Sequence, residues 1–205
     1  MVIQRALFPL ALLLAFSLCP SCFAQVTGRH DIPYPYGGST AALAVKSNLL
    51  YDATGTFNLG VEIKTGRKFT LDIPVSYNPW TFSENRKWKH LLIQPELRYW
   101  LCEPFHAHFL GLHAHYGQYN VGNLPLGGKL KDYRYEGWLV GGGLSYGYHH
   151  VLSDRWSLEA TLGVGYARLS YDKYDCGRCG DELKGGIKHY VGVTKAAVSL
   201  IYIIK

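Results

Sequence analysis

Methionine is almost missing from this chain of 205 residues, since Met1 is its only example. Beyond the first 24 residues, no stretch approaches the roughly 18 apolar residues of a membrane-spanning helix. Glycine and tyrosine are abundant instead, with 23 and 16 copies. This mixture favours alternating strands over a helical core. If the mature chain enters a membrane, we expect it to do so as strands.

The first 24 residues have the pattern of an export signal. Arg5 supplies the positive start, Leu7 to Leu18 the apolar run, and Cys22-Phe23-Ala24 a small-x-small cleavage site. The alternative is a lipoprotein signal with Cys22 as the lipidated residue, but Cys19 stands where an aliphatic residue is usual. We therefore predict a signal peptide at residues 1–24, followed by an extended leader at 25–40, in which Pro33 and Pro35 oppose regular structure.

Residues 41–205 form the predicted domain, and their main signal is a period of two. From Phe57 to Lys64 every odd residue is apolar and every even one is polar or small, as expected of a strand with one apolar face. Similar alternation predicts eight strands, at 42–51, 56–64, 69–77, 89–101, 106–119, 135–149, 156–170 and 190–204.

The connections between these strands are alternately short and long. Tight turns are expected at 65–68, 102–105 and 150–155, and long loops at 78–88, 120–134 and 171–189, with 52–55 as a short exception. An even strand count with this wiring is typical of bacterial outer-membrane proteins. We therefore predict an all-β fold, an eight-stranded antiparallel transmembrane β-barrel in the outer membrane.

Parity along the strands predicts which side chains face lipid. The apolar set includes Leu59, Val61, Leu112 and Leu162. The same face carries aromatic residues at both strand ends, which are the positions that the two membrane interfaces favour. Those at the turn side are Phe69, Tyr99, Tyr148, Trp156 and Tyr202, and those at the loop side are Phe57, Tyr77, Tyr116, Trp138, Tyr166 and Tyr190.

Several longer segments carry a family resemblance. They are Lys46-Ser47-Asn48-Leu49-Leu50-Tyr51-Asp52-Ala53, Tyr77-Asn78-Pro79-Trp80-Thr81-Phe82, Lys87-Trp88-Lys89-His90, Gln94-Pro95-Glu96-Leu97-Arg98-Tyr99-Trp100 and Tyr171-Asp172-Lys173-Tyr174. Together they resemble a family of small outer-membrane barrels, common in Bacteroidetes, whose domain has no known function. The resemblance implies the fold and the location but no reaction. Because some members lie near fimbria-related genes, it also implies a role in fimbria or surface assembly.

The inward face is rich in charge of both signs. The side chains expected to form a lumen charge network are Lys46, Glu62, Asp72, Glu96, Arg98 and Glu159. Eight strands leave an interior that side chains can fill, so paired charges there are most simply a cross-linked plug. Asp72 and Arg98 are expected to meet near the turn side, because each lies a few residues from a short turn.

No catalytic or metal site is predicted. His113 and His115 share one strand face and could bind a metal together, but no third ligand is identifiable, so polar lumen histidines are favoured. No serine stands in a nucleophile elbow. Gly141-Gly142-Gly143 lacks the Lys and Ser/Thr of a phosphate loop and lies within a strand pattern.

Three cysteines remain after signal cleavage. Cys176 and Cys179 are separated by two residues in the longest outer loop, which predicts a local disulfide in an oxidising compartment. The alternative is zinc bound with help from His189. Cys102 lies in a turn at the opposite end, about 25 Å of hydrocarbon away, and is expected to be the free thiol.

These features favour a structural or interaction component of the cell surface, with outer-membrane lipid, lipopolysaccharide and surface-assembly proteins as expected partners. No cofactor is predicted. The formal net charge of +6 is explained by solubility, or alternatively by attraction to anionic polysaccharide or lipid A. Nucleic acid is not an expected partner, because the aromatics alternate with aliphatic residues rather than with lysine and arginine. The other hypotheses are a lipid A or phospholipid modifying enzyme and a narrow channel.

Overall fold

The computed structural model of the chain describes residues 42–81, 87–122, 133–175 and 182–204. The chain divides into two units, residues 1–37 and 38–205, and all described residues belong to the second. The predicted signal peptide and leader lie outside the described residues. One short helix, α1 at Leu49–Ala53, stands among the strands. The strands are β1 Leu43–Asn48, β2 Phe57–Lys64, β3 Phe69–Thr81, β4 Lys87–Ile93, β5 Glu96–Trp100, β6 Ala107–Gly122, β7 Tyr133–Val151, β8 Trp156–Asp175 and β9 Glu182–Ile204.

The strands form a closed antiparallel barrel, which confirms the predicted fold class. The barrel has eight strand positions around its circumference, and each position is called a stave below. Closure occurs at β1, which pairs with β2 on one side and with β9 on the other. No helix among the described residues is long and apolar enough to cross a membrane.

Strands β4 and β5 together make one stave of the barrel. Both pair with β3 and with β6 in a single continuous register, so the break at residues 94–95 shifts nothing. Pro74 and Pro95 face this point of the ladder and lack the N–H that a regular pairing needs. The remaining donors still find partners, since the Gln94 N–H donates to Pro74 O at 3.1 Å and Ala114 N–H to Pro95 O at 3.0 Å.

The ends of several strands differ from the prediction. At the first loop-side connection β1 ends at Asn48 and the chain turns through α1. The Asn48 side chain caps this helix by accepting a hydrogen bond from the Leu50 N–H. At the loop side β3, β6, β7, β8 and β9 all run further than predicted. Polar residues such as Asp172, Lys173 and Lys184 stand there among apolar ones, and they obscured the strand pattern.

The predicted division between outer and inner faces holds along most of the barrel. Phe57, Leu59, Leu112 and Leu162 are exposed on the outside, while the charged side chains of the inner face are buried. Tyr190 is the exception. It pairs with Ala167 on the inner face, because β9 carries a bulge between Val193 and Lys195 that reverses the parity beyond it.

The same bulge has a second effect, on Thr194. Its carbonyl accepts from Gln94 Nε2 at 2.9 Å, and its hydroxyl lies 2.9 Å from His113 Nε2. Thr194 is therefore turned toward the lumen beside Lys195, where strict alternation would have pointed it outward.

The turn side of the lumen is closed by an apolar cluster. It consists of Ala44, Trp100, Phe105, Phe109, Ile201 and Ile203, all buried. The Trp100 and Phe109 ring centroids are 4.9 Å apart. Phe105 enters the cluster from the turn between β5 and β6, where it adopts a φ of +64°. Trp100 follows outward-facing Tyr99 and Phe109 precedes outward-facing Leu110, so this cap continues the inner face of the strands.

Glycines let β7 and β8 approach each other closely near mid-height. Gly143 pairs with Gly165, and a Cβ on Gly143 would clash with Val164 O and stand 2.7 Å from Gly165 Cα. Both obstacles are backbone atoms, which cannot move aside independently. The triple glycine at 141–143 therefore serves packing between strands, in agreement with its position in a strand pattern.

We predict that Gly143→Ala destabilises the barrel by about 1 to 3 kcal/mol, because the new methyl group must push two strand backbones apart. Gly66→Ala is the matched control, since a Cβ there meets its nearest neighbour at an ordinary 3.7 Å. Thermal unfolding in detergent measures both. Equal melting temperatures for the two variants would contradict the close approach.

Candidate functional site: the ion-pair network of the lumen

Backbone register brings the charged residues of the lumen to one level. Glu62 on β2 pairs with Asp72 on β3, and Asp72 in turn pairs with Glu96 on β5. Cross-strand partners point to the same face, so three carboxylates line up across three staves. Like charges side by side are destabilising unless cations intervene.

Arg98 is the cation at the centre of this arrangement. It is 1% exposed, and its guanidinium contacts four carboxylates. Nη1 lies 2.9 Å from Glu62 Oε2 and 2.9 Å from Glu159 Oε2. Nη2 lies 2.9 Å from Asp72 Oδ2, and Nε donates to Glu96 Oε2 at 2.7 Å. One planar fork thus connects β2, β3, β5 and β8, a geometry that an ammonium group could not provide.

Two lysines flank the guanidinium. Lys46 Nζ lies 2.5 Å from Glu62 Oε2 and 3.5 Å from Glu159 Oε1. Lys195 Nζ donates to Glu96 Oε2 at 2.8 Å from the other side. Gly60 makes room for Lys46, since a Cβ there would stand 2.6 Å from Lys46 Cγ. Each lysine therefore ties a further strand, β1 or β9, into the network.

Neutral side chains satisfy the remaining oxygens. Thr70 donates to Glu62 Oε1, Ser145 to Glu96 Oε1, and Thr161 to Glu159 Oε1 at 3.1 Å. Below the network, the Arg98 guanidinium lies 4.3 Å from the centre of the Phe109 ring. A buried charge is tolerated only when it is paired and hydrogen-bonded, and this network meets that condition almost everywhere.

The network holds four carboxylates and three cations, and His149 stands beside the surplus charge. Its Nδ1 is 3.5 Å from Glu159 Oε2, and its ring contacts Trp100 of the apolar cap. Asp72 Oδ1 has no hydrogen-bond partner among the described residues, although Lys46 Nζ lies 3.6 Å away.

The structure brings together all six residues proposed from sequence: Lys46, Glu62, Asp72, Glu96, Arg98 and Glu159. Asp72 and Arg98 meet as expected. Lys195 and His149 were missing from the proposed network. Parity does place both inward, but their height depends on the stagger between strands, which the sequence does not state.

His113 and His115 lie above the network on β6, with their ring centroids 5.8 Å apart. Both are buried, and in both the Nδ1 atom has no hydrogen-bond partner among the described residues. Nowhere in the described ranges do three or more His, Cys, Asp or Glu side chains group in a way that could hold a metal ion.

Of the cysteines, only Cys102 lies among the described residues. It forms a disulfide, so the expectation that it is the free thiol is wrong. Cys176 and Cys179, with their predicted bridge, lie outside the described residues.

A small cavity opens above the network toward the loop side. Its volume of about 40 Å³ has room for about three water molecules, at roughly 10 to 15 Å³ each. Lys46, Asp72 and Arg98 contribute to its floor, and Tyr51 of α1 lies at its upper rim. Burial raises the pKa of Tyr51 above its usual value. The cavity suits bound water rather than an organic ligand, which needs several hundred Å³.

Comparison with known protein families identifies the chain. The family described as "Protein of unknown function (DUF3575)" matches residues 12–204. The chain belongs to this family. No curated protein and no solved structure matches it significantly. Family membership agrees with the expected resemblance to a family of unknown function, and it supplies no reaction, ligand or partner.

We predict that Asp72 and Arg98 are energetically coupled. Arg98→Gln leaves four carboxylates with two lysines, and should cost about 3 to 5 kcal/mol. In the double variant with Asp72→Asn one surplus charge disappears, so the loss should fall short of the sum by about 0.5 to 3 kcal/mol. A double-mutant cycle on unfolding in detergent measures this, and strict additivity would contradict the pairing.

Proposed function

We propose that the protein is an outer-membrane barrel that serves as a structural or interaction component of the cell surface. In this proposal the bilayer surrounds the barrel, the lumen is a rigid filling, and the loop-side ends of the strands face the exterior. The observation that carries the proposal is the distribution of exposed apolar side chains on the barrel wall.

Large exposed apolar residues occur on every strand from β2 to β9. Leu112, Leu144 and Leu162 are 58 to 65% exposed near mid-height of the barrel. Soluble monomers rarely expose contiguous apolar patches of more than a few hundred Å². A protein partner would cover one side of such a wall, whereas a bilayer covers its whole circumference. The aromatic residues at both edges of the band support the same environment.

The filled lumen argues against a channel. Trp100, Phe105 and Phe109 close the turn side, and the ion pairs around Arg98 cross the middle. An eight-stranded barrel has space only for side chains or one small ligand. We infer that the network stiffens the barrel by tying its staves together.

The loop-side strand ends supply the interaction part of the proposal. Strands β8 and β9 continue to Asp175 and back from Glu182, about nine residues beyond the aromatic level marked by Tyr166. Such a sheet offers a surface well clear of the bilayer. A role in fimbria or surface assembly fits this shape and remains part of the proposal.

The alternative of a lipid A or phospholipid modifying enzyme has no specific support in the described side chains. Ser145, the serine nearest the network, donates to Glu96 rather than to a histidine. The hydroxyl groups bonded to histidine at the outer wall belong to tyrosines, Tyr146 with His108 and Tyr166 with His189.

Refolding of the chain into lipid vesicles tests the membrane location. We expect the folded protein to float with the vesicles, to resist protease along its barrel, and to migrate differently in detergent gels before and after heating. A monomer that stays soluble without detergent or lipid would contradict the proposal.

A matched pair of arginine variants tests whether the exposed apolar band of the barrel wall faces lipid. Leu112→Arg places charge at the mid-height of the wall and should cost about 2 to 4 kcal/mol of folding free energy in vesicles. Ile187→Arg places it on the same face in the row of Trp138, at the aromatic level itself, where the cost falls to about 0 to 1 kcal/mol. Both leucine and isoleucine are more than half exposed. Equal costs would show that the wall does not face a bilayer.

Conductance in planar bilayers separates the filled barrel from a channel. We expect no steady single-channel current from the wild-type protein, because the apolar cap and the ion pairs close the lumen. Reproducible unitary currents that survive purification would contradict this. The conductance of Trp100→Ala is compared with that of the wild type, since this change removes part of the apolar cluster and leaves the charged residues in place.

A further inference from the structure

We propose that Lys87, Lys89 and Arg134 form a binding site for the phosphate group of a membrane lipid at the outer edge of the barrel wall. The proposal rests on the membrane location given above and names one partner of the barrel at that surface. Three independent features of these residues support it: their position, the lack of a carboxylate in contact with them among the described residues, and the way in which Arg134 is held.

The position follows from the register. Tyr77, Leu91, Gln118 and Trp138 lie in one row across β3, β4, β6 and β7. Tyr77 and Trp138 mark the upper aromatic level on the outer face. Lys89 lies two residues beyond this row, and Lys87 and Arg134 lie four residues beyond it.

Two to four residues correspond to about 7 to 14 Å along a strand. Aromatic belts sit at the level of the lipid headgroups, so the three cations stand at or just above that level. Even spacing from Leu91 and from Trp138 also keeps them on the wall's outer face.

The three cations lie close together on neighbouring strands. Lys87 pairs with Gly122, and Gly122 pairs with Arg134, so the two cations flank a residue that has no side chain. The pKa of Lys87 is lowered by its partial burial and by the nearby charges of Arg134 and Lys89.

The acidic neighbour Glu136 offsets part of this charge, since it raises the pKa of Lys87, but by less than Arg134 and Lys89 lower it. Its Oε2 accepts a hydrogen bond from Asn120 Nδ2 at 2.9 Å. In the part of the chain that the structure describes, no carboxylate lies within 4.0 Å of Lys87, Lys89 or Arg134. Three cations held together in this way favour an anionic ligand.

Arg134 is positioned before any ligand arrives. Its guanidinium lies 4.6 Å from the centre of the Tyr174 ring, and its stem lies over Gly122, where a Cβ would stand 2.9 Å from Arg134 Cβ. Its Nε atom is buried and lacks a hydrogen-bond partner among the described residues. A guanidinium fixed in this way suits the tetrahedral oxygens of a phosphate, which its planar fork can bind through two parallel hydrogen bonds.

The test compares lipids that differ only in phosphate. The full chain is refolded into phosphatidylcholine vesicles that contain bisphosphorylated lipid A, or the same lipid A after removal of its phosphates. The lipid A retained by each barrel after extraction in mild detergent is counted by native mass spectrometry. We expect the wild type to retain the phosphorylated form at least about tenfold better, the equivalent of one charge-assisted hydrogen bond.

Variants test whether the retention of lipid A depends on Lys87, Lys89 and Arg134. We expect two variants to abolish most of the preference for phosphorylated lipid A: the double variant Lys87→Gln with Lys89→Gln, and the single variant Arg134→Gln. Arg134→Lys should restore only part of the preference, because the planar guanidinium group is lost. The matched control is Lys184→Gln with Lys188→Gln, which removes two charges from the opposite face of the same sheet, where Lys184 pairs with Lys173 and Lys188 with Leu169. This control should keep the preference.

Several outcomes would overturn the site. They are equal retention of the two lipids by the wild type, an equal loss in the control variant, and displacement of the lipid by excess inorganic phosphate, which would indicate a free anion as ligand. Protease protection, measured on every variant, separates the two proposals. A barrel that inserts without discriminating lipids overturns the site alone, whereas a barrel that never inserts overturns the membrane location as well.

Discussion

The barrel depends on how it accommodates Arg98. A guanidinium that is almost fully buried must be paired on all its donors, and the four carboxylates that pair with it come from β2, β3, β5 and β8. Most other features of the interior follow from this requirement. Four carboxylates around one cation need further positive charge, which Lys46 and Lys195 bring from β1 and β9. Hydroxyl groups then occupy the free oxygens, and glycines such as Gly60 clear the space for the long side chains. Because the network joins six staves, it cross-links the barrel. It can form only when the barrel is closed, and it stabilises the closed barrel in turn.

Alternation along the strands was enough to predict the closed barrel, its outer and inner faces, and the six residues at the centre of the lumen. It could do this because one face of each strand is uniformly apolar, so a register slip would be costly and the pattern is strict. Alternation failed where the backbone departs from a regular strand. The bulge at Thr194 reversed the parity of Tyr190, and the prolines at 74 and 95 divided one stave into β4 and β5. The loop-side strand ends were also missed, since polar residues there interrupt the apolar alternation and weaken the signal.

The height of a residue in the barrel was the other quantity that the sequence did not supply. His149 and Lys195 both point inward by parity, yet their contacts with Glu159 and Glu96 depend on the stagger between neighbouring strands. Stagger is fixed jointly by strand number, tilt and closure, so it belongs to the whole barrel and not to any one segment. The same limitation explains why Lys87 and Arg134 are not recognisable as neighbours in the sequence. They are 47 positions apart in the chain and lie across Gly122 only in the folded register.

The interior and the outer wall carry opposite implications for function. In the lumen nearly every charged group has its partner, the apolar cap closes one end, and the cavity above the network has room for only about three waters. A site in which the protein's own side chains already satisfy one another has little free energy to offer to a ligand. At the outer edge the situation is reversed, because Arg134 keeps an unused buried donor and two lysines share its surroundings without a carboxylate in contact. Unsatisfied groups are where binding free energy is available. Recognition by this barrel is therefore expected at its surface, on the wall and on the long strands beyond it, while the filled lumen holds that surface rigid.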